Sequence, residues 1–273
     1  AIIGDKGNGF YSYAYSVYTI LLLLSSYSLP LAVSKMVSAK AQLGQWRNVK
    51  RVFICAIAFA IGIGTTFGLT VLIGAQFFTR VFFHSELAAI ALRFMAPTIL
   101  IMALGVFRGF FQGLQNTLPT AVSQIVEGLI NAIMSVVFAY FLFDFGHGMD
   151  VASGTTDLGY AWGAAGGAIG TGAGALAGLI FCFILFVAYR KILAVNISRD
   201  KTGTQQEYGD IFRLMLSIAL PVILSTALYN LIELVDGSLF NNIMASKGME
   251  DVKDSMWGAY NAKALLLVHI PVS

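Results

Sequence analysis

Long apolar runs, broken by short polar stretches, constrain this chain more than anything else in it. They lie at approximately Phe10–Val37, Val52–Phe78, Leu87–Gln112, Leu118–Phe143, Gly159–Tyr189, Ile211–Phe240 and, truncated, Trp257–Ser273. A helix needs roughly 20 mostly apolar residues to cross the hydrocarbon core of a bilayer. The first six runs reach that length. A water-facing fold is excluded by the shortage of charge: 11% of the 273 residues are charged and 58% hydrophobic, against about 25% charged in soluble domains. Hydrocarbon demands no polar surface, but it forces backbone groups to pair within helices. The expected fold class is therefore an all-α polytopic membrane protein.

Pro30, Pro97, Pro221 and Pro271 fall inside the first, third, sixth and seventh runs. Membrane helices tolerate proline where neighbours satisfy the freed carbonyls, and transporters use it to bend. The fifth run opens with Gly163, Gly166, Gly167, Gly170, Gly172, Gly174 and Gly178, which reads as a small-residue packing face and a flexible stretch. Cys55 and Cys182 lie in apolar surroundings and read as membrane-buried thiols, not a disulfide framework.

Lys and Arg set orientation. The loops after the first and fifth spans carry Lys35, Lys40, Arg47, Lys50 and Arg51, then Arg190, Lys191, Arg199, Lys201 and Arg213. The other side holds Lys6, Arg80, Lys247 and Lys253, and its Asp144–Asp157 loop has no base. Loops 38–51 and 190–210 are thus expected in the cytoplasm and the visible N-terminus outside. Residues 191–210 form the longest polar cytoplasmic segment and read as a linker between an N-terminal lobe (1–190, five spans) and the start of a C-terminal lobe (211–273, two spans). Ala14–Leu21 partly matches Ala259–Leu266 across that linker, each opening a span from outside, the mark of a repeated bundle. Both ends of the chain read as cuts within a longer protein.

Ionisable groups at membrane depth face a partner or a wet cavity, which makes them the first functional candidates. Glu127 sits about nine residues into the fourth span, roughly 13 Å along its axis. With Gln124, Asn131 and Ser135 it forms one polar stripe, read either as an inter-helix seam or as a cavity wall. Glu233 and Asp236 continue a stripe through Ser225 and Tyr229 near the outer end of the sixth span, at the depth of Lys263 in the seventh. That arrangement fits a plain ion pair or a cavity cation able to exchange its acids for a phosphate. Arg108 and Lys35 near inner span ends, and Arg93 at an outer one, read as snorkelling cations first. Tyr11, Tyr13, Tyr15 and Tyr18 read as an interfacial aromatic belt, with sugar stacking as the alternative.

Enzyme chemistry has no foothold. His84, His147 and His269 are isolated, and no HExxH motif, paired-cysteine ligand set or Walker A lysine occurs. Asp144, His147, Asp150 and Asp157 match no ligand spacing. No cofactor and no metal is expected, and a net charge of +3 gives no reason to invoke nucleic acid.

Gly9-Phe10-Tyr11-Ser12-Tyr13-Ala14-Tyr15, Ser28-Leu29-Pro30-Leu31-Ala32-Val33-Ser34-Lys35, Arg108–Gly113 leading into Gln115-Asn116-Thr117-Leu118-Pro119-Thr120, and Gln124-Ile125-Val126-Glu127 together resemble the polysaccharide-biosynthesis branch of the MOP superfamily. The likeness is to YtgP/SpoVB-type proteins, relatives of the MurJ lipid II flippases. This resemblance implies a MATE-like bundle of about fourteen helices in two lobes around a central cavity, of which this chain covers about helices 2 to 8. It implies a plasma-membrane transporter that moves an undecaprenyl-pyrophosphate-linked saccharide from the inner to the outer leaflet by alternating access. Cavity cations would hold the pyrophosphate, and membrane potential or an H+ or Na+ gradient would reset the protein. Lys263 follows Asn261-Ala262 where the MurJ branch has an arginine. That branch's arginine pair in its second helix falls on the apolar Leu21–Leu24 run, which shifts weight to Lys263, Lys35 and Arg108. The expected cavity set is Lys263, Arg108, Lys35, Glu127, Glu233 and Asp236. The alternatives are a cation-coupled multidrug exporter of the MATE type, with Glu127 or Asp236 as coupling acid, and, last, a membrane transferase or scaffold.

Overall fold

Hydrocarbon leaves the backbone of an apolar run no partner but itself, so each run closes into a helix. The computed structural model describes residues 2–24 and 28–265. Its helices are α1 (Gly4–Leu22), α2 (Leu29–Gln42), α3 (Trp46–Phe83), α4 (Ala88–Ala103), α5 (Val106–Gly113), α6 (Leu118–Ser153), α7 (Leu158–Arg199), α8 (Tyr208–Ser246) and α9 (Glu250–Ala259), with a π-helical continuation over Tyr260–Leu265. No strand occurs among the described residues. Five stretches are long and apolar enough to cross a membrane: Trp46–Phe83, Ala88–Gly113, Leu118–Ser153, Leu158–Arg199 and Tyr208–Leu228. Large apolar side chains point outward along them; Ile73 is 81% exposed and Phe141 65%. Lipid is the solvent that tolerates such a surface. This is a multi-pass α-helical membrane protein.

The breaks fall where the sequence pattern did not put them. Within the run Phe10–Val37, Pro30 lies in the first turn of α2, where its missing N–H has no helical partner to lose. Pro97 sits inside an unbroken α4, while the hitch between α4 and α5 comes later, at Leu104 and Gly105. The expected Asp144–Asp157 loop is helical as far as Ser153, and the expected linker is helical as far as Arg199. Within that linker only residues 200–207 are non-helical. The latter part of the truncated run Trp257–Ser273, residues 266–273, lies outside the described residues.

Two buried clusters hold the bundle. One, around Phe10, Tyr13, Phe83, Met95 and Trp257, joins α1, α3, α4 and α9. The other, around Leu29, Val33, Phe53, Phe110 and Met215, joins α2, α3, α5 and α8. The second lies toward the face that carries residues 43–45 and 200–207, the linker face. The first lies toward the opposite face, with turns 84–87, 154–157 and 247–249.

The longest shared packing is that of α6 on α7. Gly166, Gly170, Gly174 and Gly178 face α6 at a spacing of four. A Cβ would strike the Phe138–Ala139 backbone from Gly166, Ser135 from Gly170, and the Glu127 carbonyl at 2.6 Å from Gly174. The small-residue face expected in the fifth run is this contact. Asp150 closes the hairpin by accepting from the N–H groups of Leu158 (3.0 Å) and Gly159 (2.8 Å) at the start of α7. The first four N–H groups of a helix have no partner within it, and two of them find one here.

At the linker face the non-helical segment is strapped to the start of α3. Asp200 accepts from the Arg47 N–H at 2.9 Å. Buried Asn48 donates to the Thr204 carbonyl (3.1 Å) and accepts from the Gln206 N–H (3.0 Å). Arg51 donates to the Gln206 carbonyl and lies over the Tyr208 ring at 5.3 Å. These bonds to backbone and hydroxyl hold the Asp200 carboxyl down at about 2, chiefly the Arg47 N–H and then Thr202.

Candidate functional site

Leu22, the last residue of α1, and the hitch between α4 and α5 lie beside one space. Ile101, Met102, Leu104 and Gly105 line a cavity of about 610 Å³ there, which α6 and α7 complete. An interrupted membrane helix is where transporters place polar chemistry.

Short α5 aims the chemistry. A Cβ on Gly109 would strike the Pro30 backbone, and one on Gly113 would meet the Ser34 carbonyl at 2.8 Å, so glycine lets α5 lie directly on α2. That fixes the rotation of α5 and puts Arg108 and Gln112, one turn apart, on the cavity wall. Arg108 Nη2 donates to Glu127 Oε2 at 2.5 Å, and Nε donates to Ser123 Oγ at 2.8 Å. Ser123 in turn donates to the Thr120 carbonyl at 2.8 Å. The two side chains of the ion pair are 17% and 24% exposed, so the pair borders the cavity without being sealed. On the α7 side, a Cβ at Gly178 would sit 2.7 Å from Arg108 Nη2 and 3.3 Å from Glu127 Oε2. Glycine there makes room for the pair.

The polar stripe of α6 serves both of its sequence readings. Gln124, Glu127 and Asn131 line the cavity. Farther along, Ser135 donates to Asn131 Oδ1 at 2.8 Å and approaches the Gly167 carbonyl at 3.3 Å, which is the seam. Asn131 belongs to both. The rest of the wall, including Leu31, Met102, Phe107 and Leu179, is apolar.

Of the six expected cavity residues, the structure brings Arg108 and Glu127 together. Lys35 is exposed on α2, and Asp236 is exposed on α8; neither lines this cavity. The Glu233 side chain lies outside the described residues. Lys263 does not reach Asp236: its ammonium donates to Asp5 Oδ2 at 2.7 Å, with 66% of the lysine side chain exposed. The partner that meets Lys263 comes from the start of α1, which packs directly on α9. Ser123 and Gly178 were missed as site residues. Ser123 is signalled by its spacing of four from Glu127, which puts the two on one face.

That α1–α9 seam carries its own cation. A Cβ on Gly9 would strike the Asp254 carbonyl, and one on Gly258 the Asp5 carbonyl and the Gly9 nitrogen. Buried Lys253 donates to the carbonyls of Phe83 (3.1 Å) and His84 (3.0 Å), the end of α3, where the helix dipole favours positive charge. Tyr13 stacks between Phe83 (4.7 Å) and Trp257 (6.2 Å) and donates to Asn241 Oδ1 at 3.0 Å. Among the described residues no cluster of His, Cys, Asp and Glu could hold a metal ion.

The profile of a family described as polysaccharide biosynthesis protein matches residues 1–273. The chain is 25% identical over 275 residues to stage V sporulation protein B of Bacillus subtilis (strain 168), covering 98% of this chain and 49% of that protein. It is 25% identical over 285 residues to lipid II flippase MurJ of the same organism, covering 100% of this chain and 50% of that one. A third relative there, uncharacterized membrane protein YabM, is 23% identical over 253 residues, covering 92% and 44%. The chain spans about half the length of the curated relatives it matches. No solved structure matches it.

Proposed function

Because the chain belongs to the polysaccharide biosynthesis protein family, we propose that it forms part of a plasma-membrane transporter, not an enzyme, that flips an undecaprenyl-pyrophosphate-linked saccharide from the inner to the outer leaflet. On this reading residues 1–190 build most of the first lobe, α8 and α9 open the second, and the linker face is cytoplasmic. The basic residues that sequence placed in the cytoplasm, Arg47, Arg51 and their neighbours, gather on that face. A relative named lipid II flippase supports the substrate class.

The observation that carries the reading is an amphipathic cavity with one guanidinium at its polar end. A polyprenyl pyrophosphate needs an apolar wall for isoprene and a cation for phosphate. Leu22, Leu31, Met102 and Phe107 supply the first, and Arg108 the second. Its planar fork suits phosphate oxygens bidentately, and Glu127 and Ser123 are side-chain partners that a phosphate can displace. Ion-coupled return of the Glu127 carboxylate to Arg108 closes the cycle. Lys263, exposed beside Asp5 at the opposite face, offers a second cation where the substrate leaves.

Reconstituted full-length protein should expose fluorescent lipid-linked saccharide in the outer leaflet of vesicles, and Arg108→Ala should slow that exposure at least about tenfold, equivalent to roughly 1.4 kcal/mol. Normal outward exposure of the lipid-linked precursor in cells depleted of the protein would defeat the reading.

A further inference from the structure

Helix α1 is wrapped by α3, α4, α7, α8 and α9, and along Gly4–Leu22 one residue, Tyr15, is exposed overall, with 42% of its surface open. It does not stand alone. Tyr11, Tyr15, Tyr18 and Leu22 follow at spacings of four, three and four, which puts them on one helical face. The Tyr11 and Tyr15 rings stack with centroids 5.8 Å apart and planes 16° apart, and Tyr15 and Tyr18 lie 6.0 Å apart. Leu22 is already in the cavity wall.

This ladder differs from an interfacial belt in what holds it. A belt is a level, with rings at headgroup depth on the outside of helices. These rings run along the axis, about 10 Å from Tyr11 to Tyr18 at 1.5 Å per residue, and Leu22 carries the same face on to the cavity wall. The rings on either side of Tyr15 are anchored in protein. Tyr11 lies against Gly167, where a Cβ would come within 3.3 Å of its ring, and its hydroxyl meets Thr171 at 3.2 Å. Tyr18 is buried. Both neighbours hold their rings fixed, and the ring between them is open.

We propose that the Tyr11–Tyr15–Tyr18 face is the track for the saccharide part of the substrate, with Tyr15 as its stacking platform. The proposal rests on the flippase reading and assigns a second part of the same ligand. The C–H faces of a pyranose ring carry partial positive charge and pack on the negative face of an aromatic ring, whose quadrupole has that sign. The hydroxyls of Tyr11 and Thr171 at one end, and the amides of Asn131 and Gln124 at the other, are suited to sugar hydroxyls. Stacking of this kind recognises a ring face and not one hydroxyl pattern. The track therefore selects for a saccharide over a bare lipid more strongly than among saccharides.

Full-length protein in lipid nanodiscs, titrated with undecaprenyl pyrophosphate bearing a disaccharide and with the bare lipid, tests this directly. Tyr15→Leu should weaken binding of the disaccharide lipid about three- to tenfold, the range of one aromatic stacking contact, and leave the bare lipid within about twofold. Tyr15→Phe keeps the ring and should bind both as the wild type does, while Arg108→Ala should weaken both lipids together. A Tyr15→Leu variant whose preference for the disaccharide lipid equals the wild type's overturns the track and leaves the flippase reading standing. An equal loss for both lipids overturns it too, since Tyr15 would then be plain cavity wall. Wild-type protein that binds neither lipid removes the flippase reading, and the track with it.

Discussion

The two ends of α1 handle buried charge in opposite ways. At the opposite face α1 meets α9 backbone to backbone across Gly9 and Gly258, and the cation beside that contact, Lys253, is held by the carbonyls of Phe83 and His84. Near the Leu22 end of α1 the space is open, and its cation, Arg108, is held by the side chains of Glu127 and Ser123. Carbonyls at a helix end cannot leave without unwinding the helix, so a cation held on them is a fastener. A carboxylate and a hydroxyl can turn away on their own rotamers, so a cation on them can change partners. Burial alone does not separate a functional charge from a structural one; the mobility of its partners does.

The sharpest way to break the contrast is at the seam. Gly258→Val drives a side chain into the Asp5 carbonyl and should lower stability by at least about 3 kcal/mol, the upper end for overpacking, read as a fall in the thermal midpoint in detergent. A midpoint equal to wild type would mean that α1 and α9 are not in register contact. At the cavity, Glu127→Ala strands a half-buried guanidinium and should destabilise by about 2 kcal/mol, short of the cost for a fully buried pair. Arg108→Leu with Glu127→Leu should recover most of that loss, since the pair is coupled, while transport stays abolished. Recovery of transport in the double variant would show that the pair only braces α5 on α6.

Lys253→Met leaves two helix-end carbonyls without a charged donor and should lower the thermal midpoint by the equivalent of about 1.5 kcal/mol. Lys263→Ala removes an exposed pair and should change stability by less than about 0.5 kcal/mol, yet complementation by the full-length protein should be lost and Lys263→Arg should restore it. Alanine activity equal to wild type takes Lys263 out of the route. The smallest effect is local. Asp200, with its carboxyl held at about 2, stabilises the linker strap above the ordinary carboxylate range, and that contribution disappears as pH falls from about 4 toward 2. Corrected for intrinsic exchange, amide protection of residues 200–207 should fall through that window and stay level with pH in Asp200→Asn, with the helices unchanged.

The spans and the small-residue face of α7 were legible because period and composition are local properties. Arg108 and Glu127 were each legible as anomalies in apolar runs, but not as a pair, since they sit on different helices and their meeting depends on Gly109 and Gly113 seating α5 against α2. Lys253 was not legible as a site because its partners are main-chain carbonyls, which leave no mark in a sequence. Pro97 misled for a related reason: a proline marks where a bend is permitted, while the hitch at Leu104 and Gly105 follows from packing against α2. The Tyr15 ladder was visible as a cluster of rings, but belt and track differ in which neighbours hold the rings, and that is tertiary information.

The four glycines of α7 carry one more consequence. Identical teeth at a spacing of four mean that sliding α7 by one turn, about 6 Å, would seat most of them in the next notch without a clash. The ratchet has stops at both ends: Trp162 stands one step before Gly166, and Cys182 one step past Gly178. Vertical alignment of this hairpin is therefore decided by the residues that bracket the repeat, with Asp150 latching the turn, and the guanidinium–carboxylate couple inherits its height from an indole and a thiol at the two ends of the comb.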